Sequence, residues 1–329
     1  ALSIGTEIPK LCHESKLNPV GVCRVCVVEV EGGRVLAPSC CRSVENNMVV
    51  KTNSERVKKS QKMLIELLMA NHPSPCEKHR KTGDCELEVL AEQMGVVNSR
   101  FGHQIHENGL DTSSKVIDVD HNACILCDRC IRACADLQSN DVIGRTQKGS
   151  KAKISFDFDL PMGKSTCVSC GECVAACPTG ALTEKALVGE RKETAQEVDS
   201  ICPYCGVGCS ITYHVEDSKI VGVTGRESPV NHGRLCVKGR YGYDYAHHKD
   251  RLTTPLIRMD GAPKDPTSLA NPIDAFREAT WEEAMEQAAS AFTRIKREHG
   301  SDALAGFGSA KCSNEDNYLF QKLIRAVFG

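Results

Sequence analysis

The sequence predicts an α+β chain of several small modules held together by metal rather than by one large hydrophobic core. Three observations lead there. Sixteen of the twenty cysteines among 329 residues fall into four regularly spaced tetrads. Aromatic residues supply only 5% of the chain, which together with so many clustered thiols favours small stapled modules over a single core. Alternating, strand-like stretches and amphipathic helical stretches follow one another along the sequence instead of sorting into one class.

Composition closes off several functions. The formal charge is −2 with acidic and basic residues interleaved, so there is no basic stripe to track a phosphate backbone and nucleic acid is not an expected partner. No apolar run approaches the 18 or so residues of a membrane span, and no signal peptide is visible. The chain opens at Ala1 rather than at Met, which leaves room for a segment upstream. A disulfide scaffold suits short secreted chains and does not produce C-x2-C-x2-C-x3-C runs. Thiols at this density point to a reducing cytoplasm.

In residues 1–52, Cys12, Cys23, Cys26 and Cys40 are spaced C-x10-C-x2-C-x13-C, and Val25 to Gly33 alternates and then turns, as a strand entering a hairpin does. Two ferric ions bridged by two sulfides need four thiolates, which loop cysteines beside a sheet can supply. The segment resembles the β-grasp [2Fe-2S] ferredoxin domain shared by the large iron-sulfur subunit of respiratory complex I, by [FeFe] hydrogenases and by some cytosolic formate dehydrogenases. Cys41 competes for the fourth ligand position, and the family pattern selects Cys40.

Residues 53–115 form a helical His/Cys segment. Ser54 to Ala70 reads as an amphipathic helix with Val57, Leu64, Leu67 and Leu68 on one face, stopped by Asn71-His72-Pro73. His72-x3-Cys76-x2-His79-x5-Cys85 follows. The families just named place a [4Fe-4S] cluster here on one His and three Cys, and this chain has His79 where the second Cys would stand. Three outcomes stay open: a fourth [4Fe-4S] cluster on His72, Cys76, His79 and Cys85, a His2Cys2 zinc site, or a loop that binds nothing.

Residues 116–195 contain an internal repeat, Cys124-x2-Cys127-x2-Cys130-x3-Cys134 and Cys167-x2-Cys170-x2-Cys173-x3-Cys177-Pro178. This is the run of a bacterial two-[4Fe-4S] ferredoxin, in which the fourth cysteine of each run crosses to the other cluster. Cys124, Cys127 and Cys130 therefore pair with Cys177, and Cys167, Cys170 and Cys173 with Cys134.

Residues 196–255 hold the last tetrad, Cys202-x2-Cys205-x3-Cys209-x26-Cys236, with strand-like segments at Ser210–Val215 and Lys219–Val223. Gly208 and Gly233 suit a close approach of backbone to sulfide. The tetrad resembles the [4Fe-4S] domain of molybdopterin oxidoreductases, and Asn231 to Arg240 is most similar to formate dehydrogenase. The resemblance gives Lys238, two residues past the fourth cysteine, a place between cluster and pterin as an electron relay.

Residues 256–329 read as the start of an α/β domain. Leu304 to Ser309 is expected to be a strand entering a glycine loop, Ser313 and Asp316 make a capping-box start, and Trp281 to Arg297 is an amphipathic helix. A glycine loop leading to a helix N-terminus suits a dinucleotide pyrophosphate. Here it resembles the formate dehydrogenase segment that contacts molybdopterin guanine dinucleotide, with Gly308, Ser309, Asn314, Glu315 and Asn317 as contacts. Cys312 is read as a structural, buried cysteine, and His247 and His248 as solvent-facing.

Taken together, the resemblance implies the iron-sulfur portion of a cytosolic formate dehydrogenase catalytic subunit. Such an enzyme interconverts formate and CO2 at a bis-molybdopterin guanine dinucleotide centre of molybdenum or tungsten. It passes electrons to flavin- and NAD-binding diaphorase-type or hydrogenase-type subunits. Family members continue well past this point, so the metal-ligating and substrate residues are expected elsewhere. The alternative is an electron-transfer subunit of a complex I-like or other molybdopterin oxidoreductase assembly without formate activity. An [FeFe] hydrogenase would not carry the Cys202 to Cys236 tetrad after Cys177.

Overall fold

The computed structural model describes residues 1–101, 108–185 and 195–329. They form two compact units, residues 1–201 with 209–243 and residues 202–208 with 244–329. The stretch expected to close the two-cluster ferredoxin domain, 186–194, lies outside the described residues, as do 102–107. Among the described residues no helix is long and apolar enough to cross a membrane.

The first unit begins with a small antiparallel sheet in which β1 (Val27–Val30) lies between β2 (Ala37–Pro38) and β3 (Val50–Lys51). Helix α1 (Glu55–Met69) starts as expected at Ser54, whose hydroxyl accepts from the Val57 N–H and donates to Glu29 on β1 at 2.6 Å. That cap satisfies one orphan donor and ties the helix to the sheet. Buried Gln61 then donates to the Val27 carbonyl at 3.1 Å. Short helices α2 (Glu77–Thr82) and α3 (Glu86–Gln93) have Cys76 and Cys85 as their N-caps.

The ferredoxin repeat is visible in the backbone. Leu126 and Asp128 sit in the left-handed region, at φ 52° and 63°, and Ser169 and Gly171 repeat this at the same places in the second run, at 54° and 80°. Such turns gather successive N–H groups into a concave nest suited to an anionic sulfide cluster. Each run then enters a short helix, α4 (Arg129–Arg132) or α5 (Glu172–Ala176). A sheet of β4 (Leu110–Asp111), β5 (Ile117–Asp120) and β8 (Leu182–Glu184) backs the pair. The long interval between Cys134 and Cys167 contains an added hairpin, β6 (Ile143–Thr146) with β7 (Lys153–Phe156).

The last sheet of this unit has β10 (Ser210–Glu216) between β9 (Gln196–Ile201) and β11 (Lys219–Gly225), all antiparallel. Sequence reading found β10 and β11 and missed β9. Helix α6 (Val237–Tyr241) follows Cys236 and packs where only glycine fits, since a Cβ on Gly171 would stand 2.3 Å from the Tyr241 hydroxyl. One apolar core runs from Leu11 and Val25 through Ile65 and Leu87 to Ile117, Phe156, Leu182 and Tyr241, and Cys76, Cys85, Cys130, Cys134, Cys173 and Cys177 belong to it.

The second unit holds a two-stranded ladder, β12 (Leu256–Arg258) with β13 (Phe276–Glu278), and helix α7 (Trp281–His299). Helix α8 (Asn314–Lys322) has the anticipated capping box, with Ser313 and Asp316 exchanging hydrogen bonds. Leu304 to Ser309 is a correction: it forms no strand, because no neighbouring segment among the described residues pairs with it. Cys312 is also corrected, being exposed rather than buried. His247 and His248 are exposed.

Arg240 and Glu172 are both almost fully buried and ion-paired, and Glu172 also accepts from the Leu235 N–H at 3.1 Å. Removing one partner of a buried pair strands the other charge. Glu172→Ala is therefore expected to lower stability by about 3–5 kcal/mol. Anaerobic denaturant titration followed by circular dichroism and cluster absorbance checks this, and curves that superpose on the parent's would refute it.

Candidate metal centres

The first tetrad divides two and two. The Cys12 N–H points at Cys23 Sγ from 3.3 Å and the Cys23 N–H returns to Cys12 Sγ at 3.5 Å. Their thiols are hydrogen-bonded, which holds Cys12 down to about 5 and pushes Cys23 upward. Cys40 is raised first by burial and then by its contact with Cys26. Two pairs of neighbouring sulfurs match the ligand demand of two bridged irons, each with two thiolates. Cys41, exposed, lies with its Sγ 3.5 Å from that of Cys40.

The ferredoxin runs leave a space instead. Cys124, Cys127, Cys130 and Cys177 line one cavity together with Ile125, Ile154 and Leu182. Burial pushes the Cys124 thiol up to about 11 and that of Cys127 up to about 12. Burial raises the Cys173 thiol well above an ordinary one, and Cys170, Cys167, Cys134 and Cys177 add to the rise. The fold thus brings the first three cysteines of each run beside the fourth of the other.

Buried or partly buried cations reach the backbone of these loops. From α4, Arg132 Nη2 donates to the Cys12 carbonyl at 2.6 Å. Arg129, 2% exposed, forks onto both oxygens of Glu86 at 2.6 and 2.8 Å and donates to the His13 carbonyl at 2.9 Å. Lys78 Nζ donates to the Cys177 carbonyl at 3.0 Å. Arg240 Nε donates to the Cys170 carbonyl at 2.9 Å. Sequence reading gave none of these four a role, although Arg129 directly precedes Cys130 and Arg132 follows it by two residues.

The His/Cys segment gathers a different quartet from the expected one. His72, Cys76, Cys85 and Glu88, all buried, place one donor atom each within 4.8 Å of one another. His72 Nε2 is 3.6 Å from Cys85 Sγ and 3.4 Å from Glu88 Oε1. His79, half-buried, has its Nε2 3.6 Å from Glu92 instead. Glu88 was not singled out in the sequence; its place three residues past Cys85, on the same helix face, was the available signal.

For the last tetrad each unit is described alone. In the first, Cys209 precedes β10 and Cys236, exposed, caps α6, on whose outer side Lys238 is exposed. In the second, Cys202 is buried and Cys205 exposed, and Gly208 turns through φ 68° with its N–H 3.3 Å from the Cys205 carbonyl. A Cβ on Gly206 would stand 3.3 Å from the Ala310 carbonyl, so this cysteine loop passes close to Ala310, in the turn that the Cys312 N–H closes on the Ser309 carbonyl at 3.1 Å. Asn317 donates to the Ser313 carbonyl at 3.1 Å, and the Cβ position of Gly308 is 3.8 Å from its Oδ1. Ser309, Asn314 and Glu315 are exposed around it.

Comparison with known proteins gives five family matches in order. Residues 1–55 match a 2Fe-2S iron-sulfur cluster binding domain, 61–100 the NADH-ubiquinone oxidoreductase-G iron-sulfur binding region, and 123–181 a 4Fe-4S dicluster domain. Residues 195–248 match the molybdopterin oxidoreductase Fe4S4 domain and 251–329 molybdopterin oxidoreductase itself. The NADPH-Fe(3+) oxidoreductase subunit alpha of Geobacter sulfurreducens is 34% identical over the whole chain, which covers 37% of that protein. A Staphylococcus haemolyticus protein provisionally named a formate dehydrogenase is 31% identical over 98% of the chain and 36% of its own length. The chain thus spans a little over a third of the curated relatives it matches. Among solved structures, a chain of an NAD+-reducing [NiFe]-hydrogenase in the H2-reduced state is similar over 58% of this chain and 83% of its own, at 28% identity and a TM-score of 0.52.

The pairing of Cys26 with Cys40 carries a direct test. Cys40→Ser is expected to lower the iron content by about two atoms per chain, whereas Cys41→Ser leaves it unchanged. Iron analysis of anaerobically purified protein reads both, and the opposite pattern would transfer the ligand role to Cys41.

Proposed function

From iron-sulfur domains of the NADH-ubiquinone oxidoreductase-G type set ahead of molybdopterin oxidoreductase domains, we propose that the chain is the electron-transfer arm of a formate dehydrogenase catalytic subunit. The observation that carries this reading is the close approach, within the second unit, of Gly206 in the Cys202–Gly208 loop to the Ala310 carbonyl. This reading takes that approach as the place where the last tetrad's loop meets the segment suited to a guanine dinucleotide. The formate dehydrogenase name of the Staphylococcus haemolyticus relative supports the substrate.

In this reading Cys12 and Cys23 hold one iron of a [2Fe-2S] cluster and Cys26 and Cys40 the other. Cys124, Cys127, Cys130 and Cys177 hold one [4Fe-4S] cluster, Cys167, Cys170, Cys173 and Cys134 a second, and Cys202, Cys205, Cys209 and Cys236 a third. Clusters and a molybdenum- or tungsten-bound pterin, when present, supply one-electron carriage and the two-electron exchange between formate and CO2. The protein's own groups do the rest. Arg129, Arg132, Lys78 and Arg240 offset the negative charge of the thiolate sites and fix the ligand loops. Lys238, on a helix anchored through Arg240 and two residues past Cys236, is given the part of electron relay by its place in the family pattern. Gly308, Ser309, Asn314, Glu315 and Asn317 form the dinucleotide cradle, where the start of α8 carries N–H groups besides those of Ser313 and Asp316 that the capping box uses.

Electrons leave toward a flavin- and NAD-binding partner subunit, consistent with the likeness to an NAD+-reducing hydrogenase chain, and the reduced thiols these sites need suit the cytoplasm. A second reading is favoured by the 34% identity to an NADPH-Fe(3+) oxidoreductase subunit. In it the same wire serves a protein with no formate chemistry.

The full-length protein with molybdenum or tungsten bound separates the two. Formate-driven reduction of an artificial acceptor is expected, with at least about a tenfold fall in Lys238→Ala at unchanged iron content. Absence of formate activity despite bound metal would decide for the second reading.

A further inference from the structure

We infer that His72, Cys76, Cys85 and Glu88 form a site for a single divalent cation of zinc's borderline-soft character, in place of an iron-sulfur cubane held with His79. The inference is independent of the formate reading.

Distance argues first. With Zn–S near 2.3 Å and Zn–N near 2.0–2.1 Å, tetrahedral ligand atoms stand about 3.4–3.8 Å from one another. His72 Nε2 lies 3.6 Å from Cys85 Sγ and 3.4 Å from Glu88 Oε1, and all four donors fall within 4.8 Å. A cubane seats each ligand on a different iron, so the width of the cluster separates them. The ferredoxin cysteines of this same chain are spread around a cavity, and among the described residues no other group of His, Cys, Asp or Glu donors converges so tightly.

Chemistry argues second. One imidazole, two thiolates and one carboxylate are a donor set that zinc accepts and that completes four coordination without a fifth group. Glu88, 4% exposed, is already oriented: its Oε2 accepts from the Ser74 hydroxyl at 2.9 Å and its Oε1 from the Cys76 N–H at 2.9 Å. A buried carboxylate beside two buried thiols is costly unless a cation accompanies it. His79 stands outside this set, its Nε2 3.6 Å from the exposed Glu92 carboxylate while its Nδ1 is buried.

The test uses the anaerobically purified full-length protein. Zinc-edge X-ray absorption is expected to show two sulfurs near 2.3 Å and two nitrogen or oxygen atoms at about 2.0–2.2 Å. After dialysis against a chelator, His79→Ala is expected to keep its zinc and Glu88→Ala to lose at least about tenfold in occupancy. The absorption measurement needs no variant and stands even if Glu88→Ala fails to fold. A site filled by iron, metal lost in His79→Ala but kept in Glu88→Ala, or a metal-free site with two free thiols beside a His72–Glu88 ion pair would each overturn the inference.

Discussion

Thiolates and sulfides concentrate negative charge, and burying negative charge is unfavourable unless cations and donors are buried with it. In the first unit that requirement organises the packing. Arg132 reaches from the α4 helix to the Cys12 carbonyl, Lys78 from α2 to that of Cys177, and Arg240 from α6 to that of Cys170. Each cation comes from an element that carries, or directly follows, the cysteines of a neighbouring site. A single side chain therefore ties the backbone of one cysteine loop to the element that carries the next. Arginine suits the role because its guanidinium spreads several donors in a rigid fork, as Arg129 does between Glu86 and the His13 carbonyl.

The same arrangement explains how a chain poor in aromatic residues builds a continuous core. Cys76, Cys85, Cys130, Cys134, Cys173 and Cys177 occupy core positions among Leu87, Ile117, Phe156 and Leu182. A metal held at these places replaces apolar volume with strong directional bonds, so metal binding and folding share free energy. The close contacts permitted by glycine follow from this crowding. Gly171 admits Tyr241 and Arg240, and a Cβ on Gly180 would stand 2.9 Å from Cys76 Sγ.

What the sequence made legible was whatever depends on fixed spacing along the chain. A cysteine run closes around its metal through local backbone turns, so the C-x2-C-x2-C rhythm of both ferredoxin runs announces the repeated left-handed turns at Leu126, Asp128, Ser169 and Gly171. Helix caps are local too, and Ser54 and the Ser313–Asp316 box could be read directly. What stayed hidden depends on through-space neighbours. Glu88 meets His72 only because α1 ends beside α3, and Arg132 meets Cys12 across 120 positions of sequence. The glycine-rich stretch from Leu304 has alternation enough for a strand, yet a strand is defined by its partner, and none pairs with it among the described residues.

Zinc has no redox chemistry, so a site of that kind among electron carriers changes which contacts matter. Were the His72 site a carrier, the first tetrad could be joined to the ferredoxin through it. With an inert ion there, what joins the two sites is protein contact: Arg132 leaves the helix of Cys130 and ends on the backbone of Cys12, while Arg129 from the same helix holds His13. The His72 site then has a mechanical part. Glu86, next to Cys85, donates its N–H to the Pro178 carbonyl at 2.8 Å and forks its carboxylate onto Arg129. A rigid ion at Cys85 therefore steadies the base of α3, and through Glu86 the guanidinium that clamps the first tetrad to the ferredoxin. Exchanging a carrier for a strut at this position leaves in place the contacts that α4 makes with the backbone of the first tetrad.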